Sequence, residues 1–349
     1  MVNRPLRHRA RILVTAALAA LTLTLTVTPS AASASPPTLN KADAAAGWLA
    51  RQAVDGERFE VTFDGVAYPD QGLTLDAVFA FAAAKVADTT AANAVSWLAQ
   101  PAVLTGYIGD GTEAYAGATA KLALGAQVRG LNPAAFGGVD LLTRLNGLLT
   151  PSGRYSDRSA FGDYSSAFTQ SFAVLALDRA GGAPPAAVTF LAASRCADGG
   201  FPLLFGQATC VSDVDATAMA VQALLAADRP LVAASAAQWL VSVQNSDGSF
   251  STNGVPNANS TGLAAQALSA AGRSLPWLRA RQHLISLQVN CTGASANRGA
   301  IAYTSGGFDA STAVRATAQA VPGMAGTGYA TLSAAGAQLT APVLACAPW

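Results

Sequence analysis

"WLVSVQNSDGSF" at 239–250 and "FLAASRCADGGF" at 190–201 share one pattern. Each reads aromatic-Leu, three residues, Gln or Arg, two residues, then Asp-Gly, one residue and Phe. "WLARQAVDG" (48–56) matches with one residue deleted, "WLAQ" (97–100) and "HLISLQ" (283–288) supply two more beginnings, and "RLNGLLTPSGRY" (144–155) is a degenerate sixth. Leu49, Leu98, Leu145, Leu191, Leu240 and Leu284 step by roughly 47 residues, the period of a supersecondary unit.

Each beginning is followed by a second helix-like run, such as "DATAMAVQALLAAD" (215–228) and "STGLAAQALSAAG" (260–272). Ala and Leu favour helix, and the apolar positions recur at three- and four-residue steps. Gly181 and Gly272 stand where helix stops belong. Between the two helices of a unit lie "SGRY", "DGGF", "DGSF" and "SGGF", where Gly permits a turn and the aromatic can tuck between helix ends. No segment carries a convincing strand pattern. An open solenoid would need polar capping faces on its end repeats, and none is visible. The pattern therefore predicts an all-α fold, an (α/α)6 toroid of six helical hairpins over 35–325, whose inner helices line a central concavity. A Gly/Ala-rich tail follows at 326–349.

Arg4, Arg7, Arg9 and Arg11 precede the apolar run 12–28, and "SAASAS" offers a small-residue cleavage site ending at Ala34. This is the pattern of a secretory signal peptide over 1–34; a retained anchor is the rival reading, which the interrupting Thr residues and Pro29 oppose. Beyond it, seventeen Lys and Arg face twenty Asp and Glu, a formal balance of −3. No polybasic patch remains, so nucleic acid and, after cleavage, membranes are not expected partners. Charged residues make up 12% of the chain and hydrophobic ones 51%, which suits closely packed small-residue helices. Four cysteines allow three pairings. A secreted destination favours bonding over free thiols, and the preferred pairing is Cys196–Cys210, clipping one loop, with Cys291–Cys346, pinning the tail.

These repeats resemble the α/α-toroid group that includes squalene and other terpene cyclases, protein prenyltransferases and cobalamin carriers. "QNSDGSF" is similar to the cyclases' Gln-Trp repeat, with Phe250 where Trp usually stands. "DVDATA" (213–218) resembles the D-x-D-D-T-A motif of acid-initiated terpene cyclases, with Ala216 replacing the last acid. "DATAMAVQAL" and "STGLAAQAL" also look like helix starts of the transcobalamin-type α6/α6 barrel. The resemblance spans about 41–325 and implies the fold more than an activity.

By that resemblance Asp215 would be the proton donor to an alkene and Asp213 its modulator, which requires a neutral acid in a dry pocket. Against it stand Ala216, an aromatic content of 7%, and room for one helical domain where cyclases generally have more. The other reading makes Asp215 a helix cap whose pKa the helix N-terminus lowers, with Asn259 as its counterpart in the next repeat. His283 takes the slot of Trp48, Trp97, Phe190 and Trp239, so it reads as packing. With no second His beyond residue 34, no zinc ligand set is expected, and no cofactor. No Cys-Gly-Glu-Gln thioester sequence appears. Asp110 and Glu113 in "GYIGDGTEAYAG" could serve a glycosidase pair, or simply solubility and capping. The Gly-rich loops follow no strand and hold no P-loop pattern.

The preferred expectation is a secreted, non-catalytic toroid. It would bind a small hydrophobic or corrinoid-like ligand, or an extracellular partner, in its concavity. The candidate lining residues are Asp110, Glu113, Asp213, Asp215 and Asn259. A reduced terpene cyclase is the alternative and a structural surface module the third reading. The carriers close over their ligand with a C-terminal β domain, for which the short tail here offers no counterpart.

Overall fold

A computed structural model describes residues 35–346; the expected signal peptide lies outside the described residues. Thirteen α-helices are described. Seven are outer: α1 (Lys41–Ala50), α3 (Asp88–Leu98), α4 (Pro101–Ile108), α6 (Leu141–Asn146), α8 (Pro185–Ala193), α10 (Pro230–Val243) and α12 (Ser274–Ser286). Six are inner: α2 (Gln71–Ala84), α5 (Ala116–Val128), α7 (Ala167–Arg179), α9 (Val214–Ala226), α11 (Ala258–Ala270) and α13 (Ala310–Ala325). The inner helices pack in sequence order and α13 packs on α2, closing the ring. The fold is an all-α toroid. Twelve helical positions hold thirteen helices because one outer helix breaks at Gln100, which is extended before Pro101 at the start of α4. The six repeat leucines all face inward from outer helices, each at most 1% exposed.

Each loop motif is tied to the inner helix that follows it. The backbone N–H of the buried loop residue donates to a helix side chain: Phe59 to Thr74, Phe201 to Thr217, Phe250 to Thr261, Ile301 to Thr317, and Tyr155 to Gln170 Oε1. A carboxamide then joins neighbouring units. Gln244 Nε2 donates to Gly248 O and to Pro276 O of α12; Gln288 Nε2 donates to Gly299 O and to Lys41 O of α1, last unit to first. Gly248 and Gly299 have φ of +89° and +100° and press against the next outer helix, where a side chain would collide with Arg279 O or Ala44 O. In the sixth unit this loop is therefore "RGAI" (298–301), not the expected "SGGF" (305–308).

The expectation of no strands is corrected. Four two-stranded sheets occur: β1 (Pro37–Thr38) parallel with β8 (Val343–Leu344), and hairpins β2 (Glu60–Phe63)–β3 (Val66–Pro69), β4 (Phe201–Pro202)–β5 (Ser212–Asp213) and β6 (Phe250–Thr252)–β7 (Val255–Asn257). The strands are too short for an alternating pattern to register in the sequence. Three of the pairs are simply the outer-to-inner connections folded back on themselves.

Both expected disulfides are present, with Cα–Cα separations of 5.5 Å for Cys196–Cys210 and 5.6 Å for Cys291–Cys346. The second one, with the β1–β8 pair, ties the tail across the C-terminal ends of the inner helices. Tail carbonyls there accept from Lys85, Arg179 and Gln266, and Ala334 N donates to Val128 O. Gly47 of α1 leaves the room that Pro342 of the tail occupies. No described helix is long and apolar enough to cross a membrane.

Candidate functional site

Every connection from outer to inner helix lies at one end of the ring, and these connections bond to each other. Ala114 bridges to Arg158, Ala167 N donates to Leu203 O, and Ala258 N donates to Tyr303 O. This end is the mouth. The tail covers the other end, the floor, where its carbonyls accept from Lys85, Arg179 and Gln266. There Tyr329 stands edge-on to Phe79 and Phe172, with centroids 5.2 and 5.7 Å away, while Gln222 Oε1 accepts from its backbone N–H. Burial raises the Tyr329 phenol far above its ordinary pKa, so it remains a neutral hydroxyl.

The loop-binding Thr or Gln fixes equivalent positions on five inner helices, and Thr119 takes the corresponding place on α5, where its hydroxyl donates to Tyr115 O. A residue two places further on is turned about 200° away, towards the ring axis. Those residues are Asp76, Lys121, Phe172, Met219, Leu263 and Gln319. Two places before, at the mouth, stand Gly72, Gly117, Phe168, Asp215, Asn259 and Arg315. Direct contacts bear this out. Lys121 Nζ pairs with Asp76 at 2.5 Å, donates to Gly72 O at 2.9 Å, and lies 5.8 Å from the Phe172 ring centroid. Arg315 bridges to Asp70, the N-cap of α2, at 2.6 Å. The Tyr107 phenol is held neutral first by burial and then by Asp76 and Asp70. Around the axis, ionic and hydrogen-bonding groups on α2, α5 and α13 thus adjoin aromatic ones, with Lys121 touching both Asp76 and the Phe172 ring.

The sequence reading missed Asp76, Lys121 and Arg315. A signal was available: each interrupts an inner helix that is otherwise apolar, small or uncharged, in a chain with few charges. Burying such charges is costly unless they are paired.

Of the two carboxylates in "DVDATA", the cap is Asp213, whose Oδ1 accepts from Ala216 N at 2.8 Å. Asp215, expected as the cap, is the second residue of α9. Its counterpart is indeed Asn259, second in α11, but the cap there is Asn257. Asp215 turns towards the hydroxyls of Thr252 and Ser260, which bond each other at 2.5 Å. Its Oδ1 is sealed without a partner among the described residues, as is Asn259 Oδ1. Burial lifts the Asp215 carboxyl to about 6, outweighing the two hydroxyls that favour its charge; Asp213 adds a smaller push upward. The expected lowering by the helix N-terminus is corrected: desolvation dominates.

The remaining candidates are dispersed. Asp110 is exposed and accepts from Thr112 N and Glu113 N in its own turn. Glu113 Oε1 accepts from Ala160 N, joining two mouth loops, while Oε2 is sealed without a partner among the described residues. Asp110 and Glu113 both hold loop backbone. His283 Nδ1 lies 3.3 Å from Asp247 of the preceding unit, just as Trp239 Nε1 donates to Asp198 at 3.1 Å. Burial lowers the pKa of His283 and Asp247 partly opposes this. Among the described residues no cluster of three His, Cys, Asp or Glu could hold a metal.

The Asp215 arrangement has a pH consequence. A carboxyl that binds its proton more tightly in the fold than in the unfolded chain lowers stability as pH rises from about 4 to about 6. Asp215→Asn should therefore be nearly neutral at pH 4 and stabilising by up to about 3 kcal/mol at pH 7. Denaturant unfolding at both pH values checks this, and equal effects at the two would refute it.

No family model matches the chain, and no curated protein matches it. Among solved structures it is similar to the type II terpene cyclase MstE from Scytonema, with TM-score 0.59 and 14% identity over 83% of this chain and 98% of that one. It is also similar to the unsaturated glucuronyl hydrolase from Bacillus sp. GL1, with TM-score 0.58 and 12% identity over 84% and 98%. A protein from Actinoplanes matches with TM-score 0.58 and 15% identity over 81% and 97%. At such identities the likeness is one of fold.

Proposed function

We propose that this protein is a secreted, non-catalytic toroid that holds a small amphipathic ligand in its central concavity. The observation that carries this reading is the meeting of paired charges and aromatic rings at the ring axis. Asp76, Lys121 and Arg315 bring buried or half-buried charge to the ring axis, where Lys121 also touches the Phe172 ring and Phe172 packs on Tyr329. A ligand with an apolar body and a polar end would place each part against its own kind. Two disulfides fit an oxidising compartment. The corrinoid-like ligand remains within this reading as one member of the class, as does a partner protein that covers the mouth.

One observation favours a second reading, acid-initiated terpene cyclisation. Asp215 has the raised pKa that a proton donor needs, and its fold is shared with a type II terpene cyclase. Its setting counts the other way, since hydroxyls surround the carboxyl and the Asp213 carboxylate is committed to the backbone of α9.

A single experiment separates the two. The protein is incubated with a pool of fatty acids, corrinoids and polyprenoids, then analysed by native mass spectrometry and for cyclised products. The expected result is uptake of an intact amphipathic compound, lost when Leu263→Trp fills the concavity, with no product formed. Cyclised product that vanishes in Asp215→Asn establishes the enzyme instead. No uptake across the pool overturns the ligand reading and leaves the structural module.

A further inference from the structure

All six inner helices run from mouth to floor, so their dipoles add. Acids gather where the helices begin. Twelve of the twenty Asp and Glu, against only four Arg, lie on the mouth connections 57–70, 108–116, 150–166, 197–213, 245–257 and 289–309. At the other end each turn from inner to outer helix carries a cation: Lys85, Arg129, Arg179, Arg229 and Arg273. Asp88, Asp178 and Asp228 lie beside the same turns and Asp88 pairs with Arg129, so the floor is close to balanced while the mouth is acidic.

The mouth also carries exposed apolar side chains that the fold does not use. Phe63 and Tyr68 form one group on β2–β3, and a second group lies beside the Cys196–Cys210 clip, where Leu204 is 50% and Val211 68% exposed. Between hairpins β4–β5 and β6–β7 runs a groove of about 570 Å³, with Leu203, Leu204, Val211 and Val214 along one side and Ser251, Thr252 and Asn253 along the other. Asp213 opens into it, and Asp198 stands next to it, bonded to Ser212. The nearby cations are engaged elsewhere: Arg154 binds Ser165 and Asp163, and Arg195 binds Ser235.

We infer that this groove is a docking site for a short extended segment of another protein, one that alternates basic and apolar residues. Charge complementarity selects the class. The acidic rim attracts Lys and Arg and repels acidic segments, while the leucine and valine wall takes the alternate side chains, as extended peptides present them. The strand residues Ser212–Asp213 and Ser251–Thr252 line the groove. This surface is separate from the central concavity and stands or falls independently of it.

The test uses the full folded protein and a fluorescein-labelled peptide of about eight residues alternating Lys and Val, with a Glu/Val peptide of equal length beside it. Fluorescence anisotropy is expected to show binding of the Lys/Val peptide that weakens as salt rises, and none of the Glu/Val peptide. Leu204→Ser and Val211→Ser, both at exposed positions that leave the core intact, should each weaken it about tenfold, a change of about 1.4 kcal/mol. Leu275→Ser on α12, equally exposed but outside the groove, should change nothing. Equal binding of both peptides, unchanged binding in the groove variants, or no binding up to about 1 mM peptide overturns the inference. So does self-association of the protein that Val211→Ser abolishes without any peptide binding.

Discussion

Lys121→Met is expected to destabilise the protein by about 3–5 kcal/mol, because it strands Asp76 at the ring axis without its cation. Asp76 and Lys121 have side chains only 9% and 14% exposed and meet at 2.5 Å. Removing one partner leaves an ion with its desolvation uncompensated. Removing both is a different experiment: Asp76→Leu with Lys121→Met replaces the pair by apolar groups of similar length and should recover most of the loss. Denaturant unfolding of the two single variants and the double variant gives the coupling directly. Additive losses would mean that the two groups are solvated independently, and the pairing of charge at the ring axis would lose its basis. The double variant also reports on function, since it removes one of the two ion pairs at the ring axis and should weaken uptake of ligands that have a polar end.

Opening the Cys291–Cys346 bond is expected to cost about 4 kcal/mol, from the chain entropy released by a closed loop of this length. The two residues are 55 apart in sequence. The shorter Cys196–Cys210 loop, with a separation of 14, should cost about 3 kcal/mol. The two bonds differ in what they hold. The first pins the tail that carries Tyr329 and bridges the ends of the chain beside the β1–β8 pair. In Cys291→Ser/Cys346→Ser, hydrogen exchange should therefore accelerate across 327–346, and ligand held over the Tyr329 floor should be released. Cys196→Ser/Cys210→Ser should leave tail exchange unchanged and instead loosen 197–211. Equal protection of the tail in both variants would show that its hydrogen bonds to Lys85, Arg179 and Gln222 suffice without the covalent tie.

Much of the architecture was legible because it repeats. The six leucines, the Asp-Gly-x-Phe loops and the Ala-rich second helices recur at one spacing, and physical demands recur with them. The leucines enter the space between rings, and the loop glycines pass under the next outer helix. The Gln of "QNSDGSF" also had a readable partner in the Gln of "HLISLQ", and both turned out to join units. His283 could be assigned to packing for the same reason, since four of its five sister positions are aromatic. Where a unit departs from the period, reading failed. The sixth loop was placed at 305–308 because "SGGF" resembles "DGSF" more closely than "RGAI" does, yet the backbone requirement is for a glycine of positive φ under α1, which Gly299 meets.

The candidate site was less legible. Asp213 and Asp215 are one residue apart, and either can cap a helix from sequence alone. A shift of one position in where α9 begins exchanges their roles, and helix boundaries are the least certain part of any such reading. The acidity of Asp215 depends on Thr252 and Ser260, which belong to the next unit and come near only when the ring is assembled. Its burial decides the direction of the shift, and burial is a property of the neighbours.

The sequence by itself determined a ring of helical hairpins, a repeat period of roughly 47 residues, a preferred disulfide pairing among three and a formal charge balance of −3 beyond residue 34. These follow from local periodicity and composition, which each unit carries within itself. Only the tertiary structure decided that the tail covers one end of the ring, that Asp76 and Lys121 pair across two inner helices, and that Asp215 is a half-buried acid instead of a cap. Each of those depends on which residues from different units come within a few ångströms of one another at the axis and at the mouth, and ring closure alone sets those distances.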